Sequence, residues 1–451
     1  MQLNDFGTVV EDRPEEGVFR VHPSAFSSEE LFELEIKYIF ERTWVFLTID
    51  SQLPNPNDFV STWIARTPVL VTRDSSGTVR AFLNVCRHKG AMLCPTARGN
   101  KRNHVCPYHG WAYDASGKNV HIKDRKDGHY SADFDAQEHD LVPLARVASY
   151  KGLIFGSLSS DVPPLEEFLG EFRYFLDLAM DQGPKGMEFV PGRSIYTYDG
   201  NWKFQMENGL DAYHLTSTHS SFMEVQGRRR SGAGNQAARQ YDWQKSRLSQ
   251  DGGMYQFRNG HCVVWLNVGE PEKRPISPNL GEIRQRLGDF PAEMLNKLRQ
   301  TLVFPNMQIA DSSSLILRVF RPISVNRTEM TTYCLAPIGE SDEQRAWRIR
   351  QFEDFFNPSG LATPDDTVLY EGCQRGLGAA HMPMLQGHER GITATIPGAN
   401  AMAKQAGFTP VASLDGSFNI SSETYIHPAY REWARLMQTG IEGRAAYGEP
   451  A

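Results

Sequence analysis

Cysteine is scarce in this chain, with six residues in 451, at 86, 94, 106, 262, 334 and 373. A disulfide-stapled scaffold needs a denser set, so these thiols read as reduced, and any pattern among them as metal chemistry first. Positive charge is also lacking. Lys and Arg number 47 against 54 Asp and Glu, a net −7, which gives no broad attraction to nucleic acid or an anionic membrane. Long apolar runs are missing too: none reaches the roughly 18 residues of a membrane span. The opening MQLNDFGTVVEDRPEEG has neither a basic nor an apolar signal region. The expectations are therefore no nucleic-acid partner, no membrane partner and a cytoplasmic location. No internal repeat or low-complexity segment stands out.

What is present suggests more than one core. At 451 residues the chain is too long for a single ordinary one, and two domains are expected. Residues 27–44 read as an amphipathic helix, opened by a capping box from Ser27 to Glu30 and carrying Phe32, Leu34, Ile36, Ile39 and Phe40. Short β-rich runs follow (WVFLTI, PVLVTRD, VRAFLNV, LIFGSL), separated by Gly, Pro and Asn clusters, the look of a small antiparallel barrel or sandwich. PPLEEFLGEFRYFLDLAMDQGPKG then turns helical, which puts a seam near residue 160. Beyond it, strands (SIYTYDG; MYQFRNGHCVVWLNV with Asn259-Gly260 as a hairpin turn; LILRVFRPISVNRTEMTTYCLAP) cluster instead of alternating with helices such as SDEQRAWRIRQFEDFF, capped at Ser341. The predicted fold class is α+β: a helical segment 1–43 packing with the second domain, a small all-β domain 44–160, and a larger α+β domain 161–451. GRRRSGAGNQAAR, residues 227–239, has the composition of a mobile loop.

Two clips carry the strongest signal: Cys86-Arg87-His88, then 17 intervening residues, then Cys106-Pro107-Tyr108-His109. Paired short clips on neighbouring loops can grip a metal centre without a large unfolded-state search. A structural zinc site uses the same residue types, but zinc clips usually pair cysteine with cysteine and histidine with histidine. One cysteine and one histidine in each clip suits a diiron cluster with sulfur on one iron and nitrogen on the other.

CRHKG with CPYHGWAYDASG resembles the Rieske motif of ring-hydroxylating oxygenases, with Lys89 where that family usually has arginine. Respiratory Rieske proteins add a cysteine to each clip, where this chain has Lys89-Gly90 and Tyr108. The resemblance implies a [2Fe–2S] cluster on Cys86, His88, Cys106 and His109, fed by a flavin or ferredoxin-type reductase. Lys89, Lys101 and Arg102 read equally as part of a docking patch or as a solvated face. Cys94 reads as a small buried apolar residue.

A second constellation lies at 201–219, where Asp211, His214 and His219 fall close together. Asp211 and His214, three apart, would share a face on a helix. His219 lies about 500° further round than His214, so a regular helix must distort or end for both to reach one metal. A lone histidine is usually structural; two with an acidic neighbour match the two-histidine, one-carboxylate triad of non-haem Fe(II) oxygenases. The segment resembles the iron motif of the same family, with Asn208, Asp211, Tyr213, His214 and His219 at its characteristic positions. That resemblance implies that His214 and His219 bind a mononuclear Fe(II), while Asp211 bridges His214 to the partner subunit's His109. NPSGLATPDDTVLYEGCQRG is similar to the family's carboxylate segment, with Asp366 at the ligand position. On residues alone, Asp365 and Asp366 are equally two acids favoured in the first turn of a helix.

The resemblance spans essentially the whole chain through DVPPLEEFLGEFR, YTYDGNWKFQMENGLDAYH and RQFEDFFNPSGLATPDD, and is nearest to the benzoate, toluate and anthranilate 1,2-dioxygenase branch. It implies a large subunit adding both atoms of O2 to an aromatic carboxylate, giving a cis-dihydrodiol or, after loss of a substituent, a catechol. It also implies a trimer, with or without a small β subunit. Ala212 and Leu215 stand where relatives commonly have glycine and valine, and HSSFMEVQGRRR departs further, so ring substituents cannot be read. A monooxygenase or demethylase using the same two sites, and a non-catalytic zinc module, are the rival readings.

Overall fold

A computed structural model of the chain describes residues 7–222, 224–225, 252–267, 271–415 and 421–447. The chain divides into two compact units, residues 40–165 and residues 1–39 with 166–451. Among the described residues no helix is long and apolar enough to cross a membrane. The 227–239 segment lies outside the described residues.

In the smaller unit, a four-stranded antiparallel sheet runs Val79–Leu83, Thr67–Arg73, Asp58–Ile64, Arg98–Asn100. A three-stranded sheet runs Arg146–Tyr150, Leu153–Ser157, Val45–Ile49, and a smaller one joins Asn119–His121, Ala112–Asp114 and Asn103–Val105. Successive side chains on a strand face opposite ways, and here both faces are buried. Val60, Val69 and Val71 pack with Val45, Leu47 and Ile154 of the second sheet, while Phe59 and Leu70 turn to a second core around Cys86, Cys106 and Trp111. Burial on both faces explains why PVLVT reads as a continuous apolar run. The sheets pack as layers and do not close into a barrel.

The larger unit is built on a ten-stranded antiparallel sheet. Its centre is a meander in which each strand pairs with the next: Gly252–Gln256, Cys262–Leu266, Leu298–Val303, Met307–Asp311, Leu315–Ser324 and Arg327–Pro337. Asn259, in the first connection, takes the left-handed conformation (φ 57°) that asparagine tolerates. Leu315–Pro337, read as one strand-rich run, is a hairpin turning at Val325-Asn326. The Ser341 hydroxyl accepts from Gln344 N–H at 3.3 Å and opens the helix Asp342–Phe355, as expected.

The N-terminal helix differs from expectation. It is broken at Ser28, which is extended (φ −82°, ψ 118°) and itself caps Glu29–Glu35 by accepting from Leu31 N–H at 3.3 Å. Ser27 closes a preceding single turn, Ser24–Ser27, its hydroxyl donating back to Pro23 O. A wide turn, Ile36–Phe40, ends the run. The apolar positions are nevertheless buried at Phe32, Ile36, Ile39 and Phe40. Sequence periodicity gave no sign that Glu35, in the same helix, is fully buried. Its carboxylate accepts from Trp202 Nε1 at 2.7 Å and Trp433 Nε1 at 2.8 Å and pairs with buried Lys203. Glu35→Ala leaves that ammonium without a counter-ion, which costs about 3–5 kcal/mol. Denaturant unfolding is expected to show a loss of that size; a loss under about 1 kcal/mol would mean the pair stabilises no more than a surface ion pair does.

Candidate metal centres and active site

Two loops of the smaller unit repeat one geometry. Gly90 N–H donates to Cys86 O at 3.0 Å and Cys86 N–H to Ala91 O at 2.8 Å; Gly110 N–H donates to Cys106 O at 3.1 Å and Cys106 N–H to Trp111 O at 2.7 Å. Each turn closes through a glycine at positive φ, 71° and 73°, a conformation that a Cβ disfavours. The loops thus present a cysteine and a histidine each in matching positions.

Cys86 and Cys106 are buried in one apolar cluster with Leu70, Trp111 and Tyr113. Burial pushes the Cys86 thiol up, against hydrogen bonds from the Tyr113 hydroxyl and the His88 N–H, and neighbouring Cys106 pushes it further. A buried thiol that resists ionisation alone is ionised outright by a bound metal. The His88 and His109 rings lie 4.4 Å apart between centroids, and His88 Nδ1 is buried without a hydrogen-bond partner. Two sulfur and two nitrogen donors, one of them an orphaned buried nitrogen, fit a Rieske-type cluster.

In the larger unit the helix Trp202–Asn208 leads to the second site. The Gln308 side-chain amide donates to Gln205 O and Met206 O at 3.0 and 3.1 Å, satisfying carbonyls at the helix end. Gly209 follows, where a Cβ would fall 2.1 Å from Gln308. Residues 209–213 are not helical, so Asp211 and His214 meet across a bend and not on a helical face as the spacing suggested. His214 precedes the single turn Leu215–Thr218 and His219 caps its end (φ −97°, ψ 28°). Ending the helix there lets both rings turn inward. Asp366 comes from the first turn of Thr363–Leu377, a position the helix dipole also favours for an acid.

The three donors converge. His214 Nε2 and His219 Nε2 are 3.2 Å apart, and Asp366 Oδ1 lies 3.4 Å from the first and 3.2 Å from the second. A metal with bonds of roughly 2.1 Å spaces adjacent ligands about 3 Å apart, so the trio fits one face of a first-row metal. Burial works to raise Asp366, but hydrogen bonds and charges from His214 and His219 outweigh it and hold the acid well below the usual range. Burial likewise lowers His214, yet hydrogen bonds to Asp211 and Asp366 carry it up to about 9. The site thus favours positive charge at the point where the donors meet.

Second contacts fix the ligand orientations. Asp211 Oδ2 lies 2.8 Å from His214 Nδ1, while Asp211 Oδ1 accepts from Tyr213 N–H at 2.7 Å. Asn208 Nδ2 reaches Asp366 Oδ1 at 3.3 Å. Asp365, which the sequence offered only as a helix-start acid or a substitute ligand, lies 3.4 Å from His219 Nδ1. The adjacent pair Asp365-Asp366 was the only sequence signal for it. The Tyr213 ring is 51 % exposed, beneath the Arg390 guanidinium, and does not line the pocket. The pocket has a cavity volume of about 60 Å³, with apolar walls from Leu215, Val264, Leu266, Leu298, Phe355 and Phe356. That lining suits an apolar ring better than a strongly hydrated group.

Comparison with known proteins agrees with this geometry. Residues 43–149 match the Rieske [2Fe-2S] domain and residues 187–439 the ring hydroxylating alpha subunit (catalytic domain). The chain is 41 % identical to the toluate 1,2-dioxygenase subunit alpha of Pseudomonas putida, over 91 % of this chain and 90 % of that one. It is 39 % identical to the 2-halobenzoate 1,2-dioxygenase large subunit of Burkholderia cepacia, over 96 % and 92 %. Naphthalene 1,2-dioxygenase from Rhodococcus sp., solved with indole, superposes with a TM-score of 0.78 at 25 % identity, over 93 % of this chain and 94 % of that one. The chain therefore belongs to the Rieske-type ring-hydroxylating oxygenase alpha subunits, enzymes that carry a [2Fe–2S] cluster and a mononuclear iron.

Proposed function

We propose that this chain is the large subunit of a terminal dioxygenase that adds both atoms of O2 to an aromatic carboxylate of the benzoate, toluate or anthranilate type. The product is a cis-dihydrodiol or, where a ring substituent is lost, a catechol. The observation that carries this reading is the convergence of His214, His219 and Asp366 within an apolar pocket, in a chain similar to a toluate and a 2-halobenzoate 1,2-dioxygenase.

In this reading Cys86, His88, Cys106 and His109 hold the cluster, and His214, His219 and Asp366 hold the iron. When bound, the cluster would supply electrons and the iron would activate O2; the protein's part is binding, orientation and timing. Asp211 keeps a proton on His214 Nδ1 and so leaves Nε2 free to ligate, and Asp365 does the same for His219. Asn208 steadies the Asp366 carboxylate. Tyr213 positions Asp211 through its backbone N–H. His214, His219 and Asp366 would hold the metal with three donors, a set that suits O2 chemistry, and the apolar walls keep bulk water from the space these residues face. In the other unit the Tyr113 hydroxyl lies 3.4 Å from Cys86 Sγ, a contact of the kind that raises a cluster's potential.

A reductase of the flavin or ferredoxin type delivers electrons, with exposed Lys89, Lys101 and Arg102 available to an acidic partner. The assembly is a trimer, with or without a small β subunit, in which Asp211 links His214 to the partner subunit's His109. Turnover of substituted benzoates by the purified oxygenase with such a reductase tests the reading. NADH consumption coupled to diol formation is expected for at least one aromatic acid, and none across the panel would refute it.

A further inference from the structure

Arg318 lies in the middle of Leu315–Ser324, between Gln308 and Thr332 on the flanking strands. It lines the pocket that holds His214, His219 and Asp366, and it is only 8 % exposed. A buried guanidinium is ordinarily paired, because an uncompensated buried charge is costly. Other buried arginines of this unit obey that rule: Arg274 and Arg299 share Asp311, and Arg348 pairs with Glu340. The Arg318 backbone pairs with both neighbouring strands, but among the described residues its guanidinium has neither a hydrogen-bond nor an ion-pair partner. Its guanidinium lies over the Phe356 ring, 4.8 Å from the centroid. Asp366, the carboxylate of the same pocket, is occupied by His214, His219 and Asn208. Burial pushes the Tyr196 phenol, which feels the Arg318 charge, up to about 12, so it is neutral and no counter-ion.

We propose that Arg318 is the anchor for the substrate's carboxylate. The missing counter-ion arrives with the aromatic acid, whose two oxygens match the guanidinium fork, while Phe355, Phe356 and Leu298 take the ring. This deepens the function proposed above and rests on it. It makes Arg318 a specificity-determining residue that separates aromatic acids from neutral arenes of the same shape.

The test uses the holo-oxygenase with benzoate and with nitrobenzene, a neutral molecule of similar outline, reading Kd by calorimetry and KM and kcat by turnover. Arg318→Met keeps length and removes charge. Its Kd and KM for benzoate should rise at least about 30-fold, while nitrobenzene binding stays within about threefold. Arg318→Lys should keep part of the benzoate affinity, since the charge remains without the fork. The wild-type enzyme itself should bind benzoate more tightly than nitrobenzene, a comparison that stands even if a variant fails to fold. A wild type that oxidises benzoate without that preference, or an Arg318→Met enzyme with unchanged benzoate Kd, would overturn the assignment. A wild type that oxidises neutral arenes and no aromatic acid would instead overturn the substrate reading, and the anchor with it.

Discussion

Asp366→Ala is expected to strip the mononuclear iron while the visible bands of the [2Fe–2S] cluster stay at full strength. Asp366 Oδ1 is the one carboxylate oxygen within 3.2–3.4 Å of both inward-facing histidine nitrogens among the described residues. Neighbouring Asp365 approaches His219 from its other nitrogen, Nδ1, and so backs the ring without reaching the metal side. Loss of contacts outside the ligand shell already costs 10–100-fold in affinity or activity, so removal of a ligand should cut turnover by more than about 100-fold. Metal analysis should fall from about three irons per chain to about two. Iron content and turnover that survive the change would make Asp365 or another carboxylate the ligand.

Asp211→Asn should have the second-largest effect and a different signature. The aspartate accepts from His214 Nδ1 at 2.8 Å, from His214 N–H at 3.2 Å and from Tyr213 N–H at 2.7 Å, and its side chain is still 20 % exposed. A carboxylate so held, with part of its surface free, can take one more charge-assisted hydrogen bond. In the assembly proposed above that bond comes from the partner subunit's His109, and a closed head-to-tail ring provides the juxtaposition. Asparagine keeps the shape and removes the charge. Both metal centres and the oligomer should persist, while oxidation of the reduced cluster in a single turnover with substrate and O2 slows by about 10–100-fold or more. An undiminished rate, or a fully active monomer by light scattering, would refute the inter-subunit route.

Local signals carried much of the fold. The apolar runs at 45–49, 67–73 and 153–157 are strands, and Ser341 caps its helix. The signal blurs where two side chains offer the same chemistry: Ser27 and Ser28 can each cap a helix, and only the extended backbone at Ser28 decides between them. For the site, spacing showed that the helix between His214 and His219 could not run on, but it could not bring in a carboxylate 147 positions beyond His219; family resemblance did that. Asp365 and Asp366 are both acids in a first helical turn and groups beside the two histidines, so one sequence feature serves two purposes. Glu35 and Arg318 were illegible for one shared reason. Charged residues in an amphipathic helix and in a strand reading LILRVFR look solvated until tertiary packing covers them.

At the centre of the proposed function is the coupling, within the assembled oxygenase, of cluster electrons to dioxygenation of an aromatic acid. The most direct test is a single turnover of the fully reduced, purified oxygenase, without reductase, given benzoate and isotopically labelled O2. The account predicts a cis-dihydrodiol carrying both labelled atoms, formed as the cluster's bands turn to the oxidised form. Product carrying one labelled atom, or cluster oxidation with no labelled product, would contradict it.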